Sequence, residues 1–490
     1  MKLTEVLSCL PFYDGPTPVP QIDIQSIEVD HRNIVEGDMF VCIKGHTVDG
    51  HDFAKKAIDR GARVIIAEKE LDVPAPVFTV PDTSRALAML ASTFYHHPTN
   101  ELPLIGVTGT NGKTTVTYVL EKIFNEYGRK TGLIGTIQMK IGEQSYPIHN
   151  TTPNALVLQQ SFKEMNDKNI DQAIMEVSSH ALDQGRVFGC NFDVAVFTNL
   201  SQDHLDYHKD MDDYLRAKSL LFSQLGNSYN GEKKFAVLNA DEEASALLKR
   251  STAQHVLTYG CNHPADVIAK DIQLEITKTT FTLQTPEETV EIQSNLIGMF
   301  NVYNMLAASA AALALDVPVS IIQKALESIK GVNGRFEPVN AGQSFAVVVD
   351  YAHTPDSLEN VLQTINEFSK RNVYVVVGCG GDRDRTKRPL MAQIAVKYAD
   401  RAVFTSDNPR TEDPEAILDD MVRGLSRNET NYEVITDRKR AIHHAVNIAK
   451  RDDVILIAGK GHETYQQIGD VTYDFDDREV AREAIFSREE

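Results

Sequence analysis

Cysteine is scarce and unpatterned. The five that occur, Cys9, Cys42, Cys190, Cys261 and Cys379, are scattered, odd in number and outside any CxxC or Cys/His zinc spacing. Neither a disulfide framework nor a structural zinc site is expected, and a reducing, cytoplasmic setting fits best. Positive charge is also in deficit, with 49 Lys and Arg against 69 Asp and Glu and a net charge of −20. Such a balance offers no broad cationic surface for a phosphate backbone, so no nucleic acid partner is expected and any anionic ligand must be met by a few placed cations. Long apolar runs are missing too. The longest, Met305 to Leu315, is alanine-rich and about half a membrane span, so it reads as a buried helix and no membrane insertion is expected. The N-terminus, Met1-Lys-Leu-Thr-Glu-Val-Leu, lacks the basic and apolar regions of a signal peptide. No internal repeat or low-complexity tract is visible.

What remains is an ordinary globular composition, 42% apolar and 24% charged over 490 residues, a length that predicts about three domains. The first hundred residues hold short apolar runs at 39–43, 64–67 and 77–80 and end in a Pro-bearing polar stretch, 95–103, that reads as a linker. From Leu104 onward apolar strand, polar loop and amphipathic helix alternate, the signature of βαβ units around a parallel sheet. Near Asp271 to Ile292 strict apolar/polar alternation predicts antiparallel strands at the edge of that sheet. A second boundary falls in Lys330-Gly-Val-Asn-Gly-Arg-Phe-Glu-Pro338, after which α/β patterning resumes. The expected organisation is 1–98, 99–332 and 333–490.

The segment Leu104-Ile-Gly-Val-Thr-Gly-Thr-Asn-Gly-Lys-Thr-Thr115 predicts a strand, a glycine loop and a helix start, with Gly128 ending the helix. Backbone N–H groups of Gly109, Thr110, Asn111, Gly112, Lys113, Thr114 and Thr115 would face nucleotide phosphates, Lys113 would reach the terminal ones, and a Thr hydroxyl would ligate Mg²⁺. The strict GxxxxGK[ST] pattern is not met, because Val107 stands where its first Gly belongs. Glu176 ends an apolar strand, where a carboxylate is costly to bury unless it meets a metal or a cation. The run His204, Asp206, His208 could belong to a metal site or to a solvated loop. Polar clusters follow strand after strand, as expected where open α/β sheets bind ligands.

Gly109-Thr-Asn-Gly-Lys-Thr-Thr115, Glu176-Val-Ser-Ser-His180, Thr198-Asn-Leu-Ser-Gln-Asp-His-Leu-Asp-Tyr-His208 and Tyr214-Leu-Arg-Ala-Lys218 together resemble the Mur ligase family of ATP-dependent amide-forming enzymes in cell-wall synthesis. Gly298-Met-Phe-Asn-Val-Tyr-Asn304, Asp350-Tyr-Ala-His353, Gly380-Gly-Asp-Arg-Asp384 and Gly459-Lys-Gly-His-Glu463 extend the likeness along the chain. The resemblance implies an α/β protein of three domains: a UDP-sugar domain, a central P-loop ATPase-type domain with a mostly parallel sheet, and a C-terminal Rossmann-like domain that supplies the amino acid. It implies ATP and Mg²⁺ as cofactors. Lys113 would clamp the γ-phosphate, Thr114 and Glu176 would ligate metal, His204 would join a second Mg²⁺ site, and Lys218 would be carbamylated by CO₂ to become a metal ligand. Asn301, Arg335 and Asp350 would hold the base and ribose.

For substrates, the likeness implies a UDP-N-acetylmuramoyl dipeptide and an amino acid, and a monomer is expected. His31 and His46 would lie near the uridine, although His31 stands where the family's Asp-Ser-Arg stretch carries Ser. Asn150, Thr151, Thr152, Ser178, Gln184 and Arg186 match sugar and peptide contacts. Asp407-Asn408-Pro409-Arg410 resembles the diaminopimelate-adding pattern. meso-Diaminopimelate is lysine with an added carboxylate, and Arg410 offers that carboxylate two parallel hydrogen bonds. Arg383, Gly459 and Glu463 match the remaining amino-acid contacts, Glu463 facing the far ammonium. Two alternatives are a folylpolyglutamate synthase-like ligase and a P-loop NTPase switch.

Overall fold

A computed structural model of the chain describes residues 1–45, 48–148, 150–227, 233–275 and 278–488. Its N-terminal part is a four-stranded parallel sheet in the order Ile27–Glu28, Met39–Val41, Val64–Ala67, Val77–Thr79. The short apolar runs seen in the sequence are these strands, and the central two are buried on both faces. Helix Thr83–Phe94, capped by the Asp82 carboxylate, covers one face and packs on helix Ala155–Asp167 of the next part.

The central part is an eleven-stranded mixed sheet. Seven neighbouring strands are parallel: Thr131–Ile134, Gln172–Glu176, Leu104–Thr108, Val194–Phe197, Phe235–Asn239, His255–Gly260 and Val267–Leu274. The antiparallel edge foreseen near Asp271 is present as Thr279–Gln284 and Thr289–Ser294, the first with alternating burial. A second antiparallel edge, Met139–Ile141 with Gln144–Tyr146, was not legible in the sequence. Leu104–Thr108 lies between Gln172–Glu176 and Val194–Phe197, with Val107 opposite Glu176 and Thr108 opposite Phe197. The loops after these three strands therefore emerge side by side.

Helix Lys113–Glu126 ends as expected, with Gly128 at φ +83 and the Arg129 N–H returning to the Phe124 carbonyl at 2.9 Å. The alanine-rich run is helix Met299–Ala314, buried along nearly its whole length and packed against Lys113–Glu126. The C-terminal part is a six-stranded sheet, Glu337–Pro338, Ala346–Asp350, Val454–Ala458, Val373–Val377, Arg401–Phe404, Tyr432–Val434, parallel except for the first strand. Two separate apolar cores, one per face, mark it as Rossmann-like. A hairpin, Tyr465–Ile468 with Val471–Asp474, stands beside it.

The 95–103 stretch differs from a free linker. Pro98 and Thr99 are buried, Asn166 donates to the Pro98 carbonyl at 2.9 Å, and Thr99 Oγ1 accepts the Asn191 N–H at 2.9 Å. Polar residues that look solvated in one dimension are here satisfied by the central part. Because the layer of Leu306 supports the helix that opens at Lys113, Leu306→Ala is expected to cost about 2–5 kcal/mol. Urea unfolding followed by far-UV circular dichroism measures the loss.

Candidate active site between the central and C-terminal parts

Gly109, Thr110, Asn111 and Gly112 connect strand Leu104–Thr108 to helix Lys113–Glu126. Two positions require glycine. At Gly109 (φ +150) a Cβ would sit 1.8 Å from Thr198 Oγ1, and at Gly112 (φ +85) it would sit 2.3 Å from Asn304 Oδ1. Gly106 is different: it clears the Phe192 ring inside the strand, which explains why it falls outside the phosphate-loop register. The neighbouring loop holds this one in place, since the Thr110 N–H donates to the Asn199 carbonyl at 2.9 Å and the Asn111 N–H to Asn199 Oδ1 at 2.8 Å. Lys113 Nζ folds back onto the carbonyls of Gly109 (3.0 Å) and Thr110 (2.8 Å).

Lys218 Nζ donates to the same Gly109 carbonyl at 2.8 Å and lies 4.2 Å from the Tyr214 ring centroid. It is 1% exposed, and burial together with the Lys113 charge pushes its amine well below the usual lysine range. Burial likewise lowers Lys113, against the pull of Glu176 and Asp203. Glu176 is fully buried, its two oxygens accepting from the Thr136 N–H (2.8 Å) and Thr136 Oγ1 (2.9 Å). Desolvation pushes the His204 imidazole down, so at neutral pH it is an uncharged ligand or base. Burial opposes ionisation of Asp203 beside it, but the Lys387 charge and the His204 backbone N–H at 2.9 Å help hold its carboxyl low.

From the other side, Arg335 Nη2 donates to Thr114 Oγ1 at 2.9 Å, and its guanidinium lies 4.5 Å from the Tyr351 ring centroid. Asp356, in the first turn of helix Pro355–Phe368, accepts from Asn111 Nδ2 (2.7 Å) and Ser201 Oγ (3.1 Å). These contacts close a cleft of about 370 Å³ lined by Asn111, Gly112, Asn304, Arg335, Asp350 and Tyr351 among others. The helix beside it is capped by Gly298, and Asn301 instead returns its amide to the Ile297 carbonyl at 2.8 Å. Asp350 is buried, and desolvation pushes its carboxyl up to about 6, although Arg335 and the Phe336 N–H (2.6 Å) pull the other way.

A second polar cluster lies at the carboxyl ends of the C-terminal strands. Asp407, Asn408, Pro409 and Arg410 lie against Gly459 and Glu463, with Arg410 at φ +50 and its Nη1 anchored on the Gly381 carbonyl at 2.7 Å. Arg383 is exposed beside them. On the central part, Arg186 donates to the Thr152 carbonyl (2.9 Å) and to Gln184 Oε1 (2.6 Å), while Thr152 Oγ1 accepts the Ser178 N–H at 3.0 Å. Thr151 reaches Thr136 at 3.1 Å, which joins this pocket to Glu176.

Residues 23–95 match the Mur ligase family catalytic domain, 107–312 the Mur ligase middle domain, and 334–461 the Mur ligase glutamate ligase domain. The chain is 63% identical to the UDP-N-acetylmuramoyl-L-alanyl-D-glutamate--2,6-diaminopimelate ligase of Oceanobacillus iheyensis, over 99% of each. It is 58% identical to the protein of that name from Bacillus cereus, over 100% of this chain and 99% of the other. A solved structure of a UDP-N-acetylmuramoyl-L-alanyl-D-glutamate--2,6-diaminopimelate ligase superposes with a TM-score of 0.70 at 33% identity, covering 99% of both chains. The chain belongs to the Mur ligase family.

Seen as a Mur ligase, the molecule lines the first cleft with Arg335 and Asp350; Thr114 meets Arg335, Asn301 meets the cleft residue Asn304, Lys113 and Lys218 share the Gly109 carbonyl, Glu176 acts on the Lys113 charge, and His204 feels both lysines. His31 lies in the N-terminal part, stacked on Phe53 at 4.5 Å, so an aromatic contact replaces a hydroxyl there. Asn150 is exposed near Thr151, and His46 lies outside the described residues. Sequence reasoning missed Thr136, Asp203, Tyr351, Asp356, Lys387 and Lys460. Their signal was faint: Asp203 sits inside the quoted 198–208 run and Tyr351 inside Asp350-Tyr-Ala-His353, but partners far along the chain reveal the others.

Asp350 supplies a test with a definite sign. Its folded-state pKa lies above the unfolded value, so the folded form binds the extra proton and stability falls as pH rises from about 4 to about 6, then levels off. Asp350→Asn is expected to stabilise the C-terminal part by about 1–3 kcal/mol at pH ~8, with no gain below pH ~4. Thermal unfolding at the two pH values reads the difference.

Proposed function

We propose that this Mur ligase joins meso-diaminopimelate to UDP-N-acetylmuramoyl-L-alanyl-D-glutamate with ATP, forming ADP and phosphate in peptidoglycan precursor synthesis. The observation that carries this reading is full-length identity of 63% to a ligase of that name. The Asp407 to Arg410 loop supports it, because the Arg410 fork is held in a fixed direction beside a buried carboxylate pair. We assign residues 1–98 to the UDP-sugar, 99–332 to the nucleotide and 333–490 to the amino acid. A monomer in a reducing cytoplasm accords with five free thiols.

The chemistry needs a carboxylate and a triphosphate held in line, so positioning and charge neutralisation do most of the work. The substrate carboxylate attacks the γ-phosphorus, ADP leaves, and the amine then displaces phosphate from the acyl phosphate. Lys113 would release its loop carbonyls to meet the γ-phosphate. Among the described residues no group of three or more His, Cys, Asp and Glu forms a metal cage. The hard donors Thr114 and Glu176 beside Lys113 fit Mg²⁺ shared with phosphates, which is how that ion is usually held. Thr114, Glu176, His204 and Lys218 would hold it, and Mg²⁺ would neutralise developing phosphate charge. Lys218 is suited to carbamylation, since burial and the Lys113 charge favour the unprotonated amine, the form that reacts with CO₂.

Arg186 and Gln184, with Thr151, Thr152 and Ser178, would hold the peptide carboxylate and sugar. Asn301, Arg335 and Asp350 would hold the nucleoside. Arg410 would pair with the far carboxylate of diaminopimelate, and Arg383, Asn408, Gly459 and Glu463 would complete that pocket.

Phosphate release is measured with ATP and the UDP-dipeptide in the presence of meso-diaminopimelate, L-lysine or no amino acid. Release with diaminopimelate alone, with a tripeptide product, is expected. Release with lysine instead would overturn Arg410 as the selector, and release without either substrate would indicate an NTPase switch. Lys113→Ala is expected to lower turnover at least about a thousandfold. Arg410→Ala is expected to raise KM for diaminopimelate about a hundredfold while leaving KM for ATP within about twofold.

A further inference from the structure

The amino-acid pocket contains a cation that the roles above do not use. Lys460 is fully buried, which is costly for an ammonium unless its surroundings compensate. Its Nζ donates to Asn408 Oδ1 at 3.0 Å and to Glu463 Oε2 at 2.9 Å. Asn408 Oδ1 also accepts the Gln467 N–H at 2.9 Å, so the amide has one orientation, and its Nδ2 must point at Glu463 Oε2, 2.9 Å away. Two donors thus converge on Oε2, which among the described residues leaves Oε1 as the oxygen for a ligand. The Tyr465 ring, 5.2 Å from Nζ, covers the cluster from the hairpin side.

We infer that Lys460 is a positioning residue for the amino-acid substrate: it fixes the Asn408 amide and keeps the Glu463 carboxylate aligned and charged for the substrate's far ammonium. This rests on the diaminopimelate reading of the same pocket. The charge balance explains why a lysine is needed. Glu463 and Asp407 are two carboxylates in one enclosure, and burial and Asp407 both push the Glu463 carboxyl up, while Lys460 is the main group opposing them. The other groups facing the cluster are Arg438, Arg410, His462, Tyr351 and Tyr465. Arg438 makes two bonds to Asp477 at 2.7 and 2.8 Å and turns its Nη1 to Asp407 at 4.0 Å, Arg410 is anchored on the Gly381 carbonyl, and burial pushes the His462 imidazole down to about 3, so Lys460 is the cation bonded to Glu463. Tyr351 and Tyr465 are neutral phenols at physiological pH.

Lys460→Met and Lys460→Gln remove the charge with little change of volume, and Lys460→Arg keeps it. Steady-state KM for diaminopimelate, ATP and UDP-dipeptide is measured for each at pH ~6 and ~8, after thermal unfolding has identified which variants fold. Either neutral variant is expected to raise KM for diaminopimelate about tenfold or more, to leave the other two within about twofold, and to show a larger rise at pH ~6 than at pH ~8. The Arg variant is expected to restore most of the loss and the wild-type pH profile. Unchanged KM for diaminopimelate, an equal rise in all three constants, or failure of both neutral variants to fold would overturn the positioning role. A wild-type chain that makes no tripeptide from diaminopimelate would instead sink the functional reading itself.

Discussion

The site depends on hydrogen bonds that cross from the C-terminal part to the phosphate loop. Arg335 reaches Thr114, 221 residues away, and Asp356 reaches Asn111, 245 residues away. Neither half alone makes the cleft: the loop and helix Met299–Ala314 form one wall, and Asp350, Tyr351 and Asp356 form the other. A ligase must exclude water from an acyl phosphate, and a cleft that exists only when two domains meet is a direct way to do so. Whatever binds in this cleft therefore touches the phosphate loop and the C-terminal part together.

Electrostatics set the second constraint. A chain of net charge −20 handles polyanionic substrates, so each cation has a stated place. Lys113 and Lys218 meet over one carbonyl, Arg335 bridges domains, Arg186 is held by Gln184, and Arg410 and Lys460 sit in the cluster around Asn408 and Glu463. Burial lowers both amines beside Gly109, and the Lys113 charge lowers Lys218 further. Stability is sacrificed at Asp350, whose burial raises its own carboxyl.

The strands, the glycine loop and the carboxyl-end clusters were legible because they are local patterns: apolar runs, Gly109 and Gly112 before Lys113, polar loops after each strand. The family likeness led to the phosphate loop, Arg335 and Asp350 in the cleft, but not to the wall that holds Asn239, Asp241, Glu242, Tyr259 and Asp356. What was not legible depends on distance along the chain. Nothing in their local sequence shows that Lys218 and Lys460 are buried, because the Gly109 carbonyl and the Asn408 amide that meet them lie far along the chain. Helix Met299–Ala314 begins after Gly298, which places Asn304 inside the helix, facing Gly112. The 95–103 stretch looked like a linker because the Asn166 and Asn191 groups that satisfy it lie in another part of the chain.

The central claim, that cross-domain hydrogen bonds assemble the nucleotide cleft, is tested most directly by a double-mutant cycle. ATP affinity is measured for the wild type, Asn111→Ala, Asp356→Ala and the pair. A coupling of about 1–2 kcal/mol is expected if the two side chains act as one element of the site. Additive losses, within about 0.3 kcal/mol, would contradict the account.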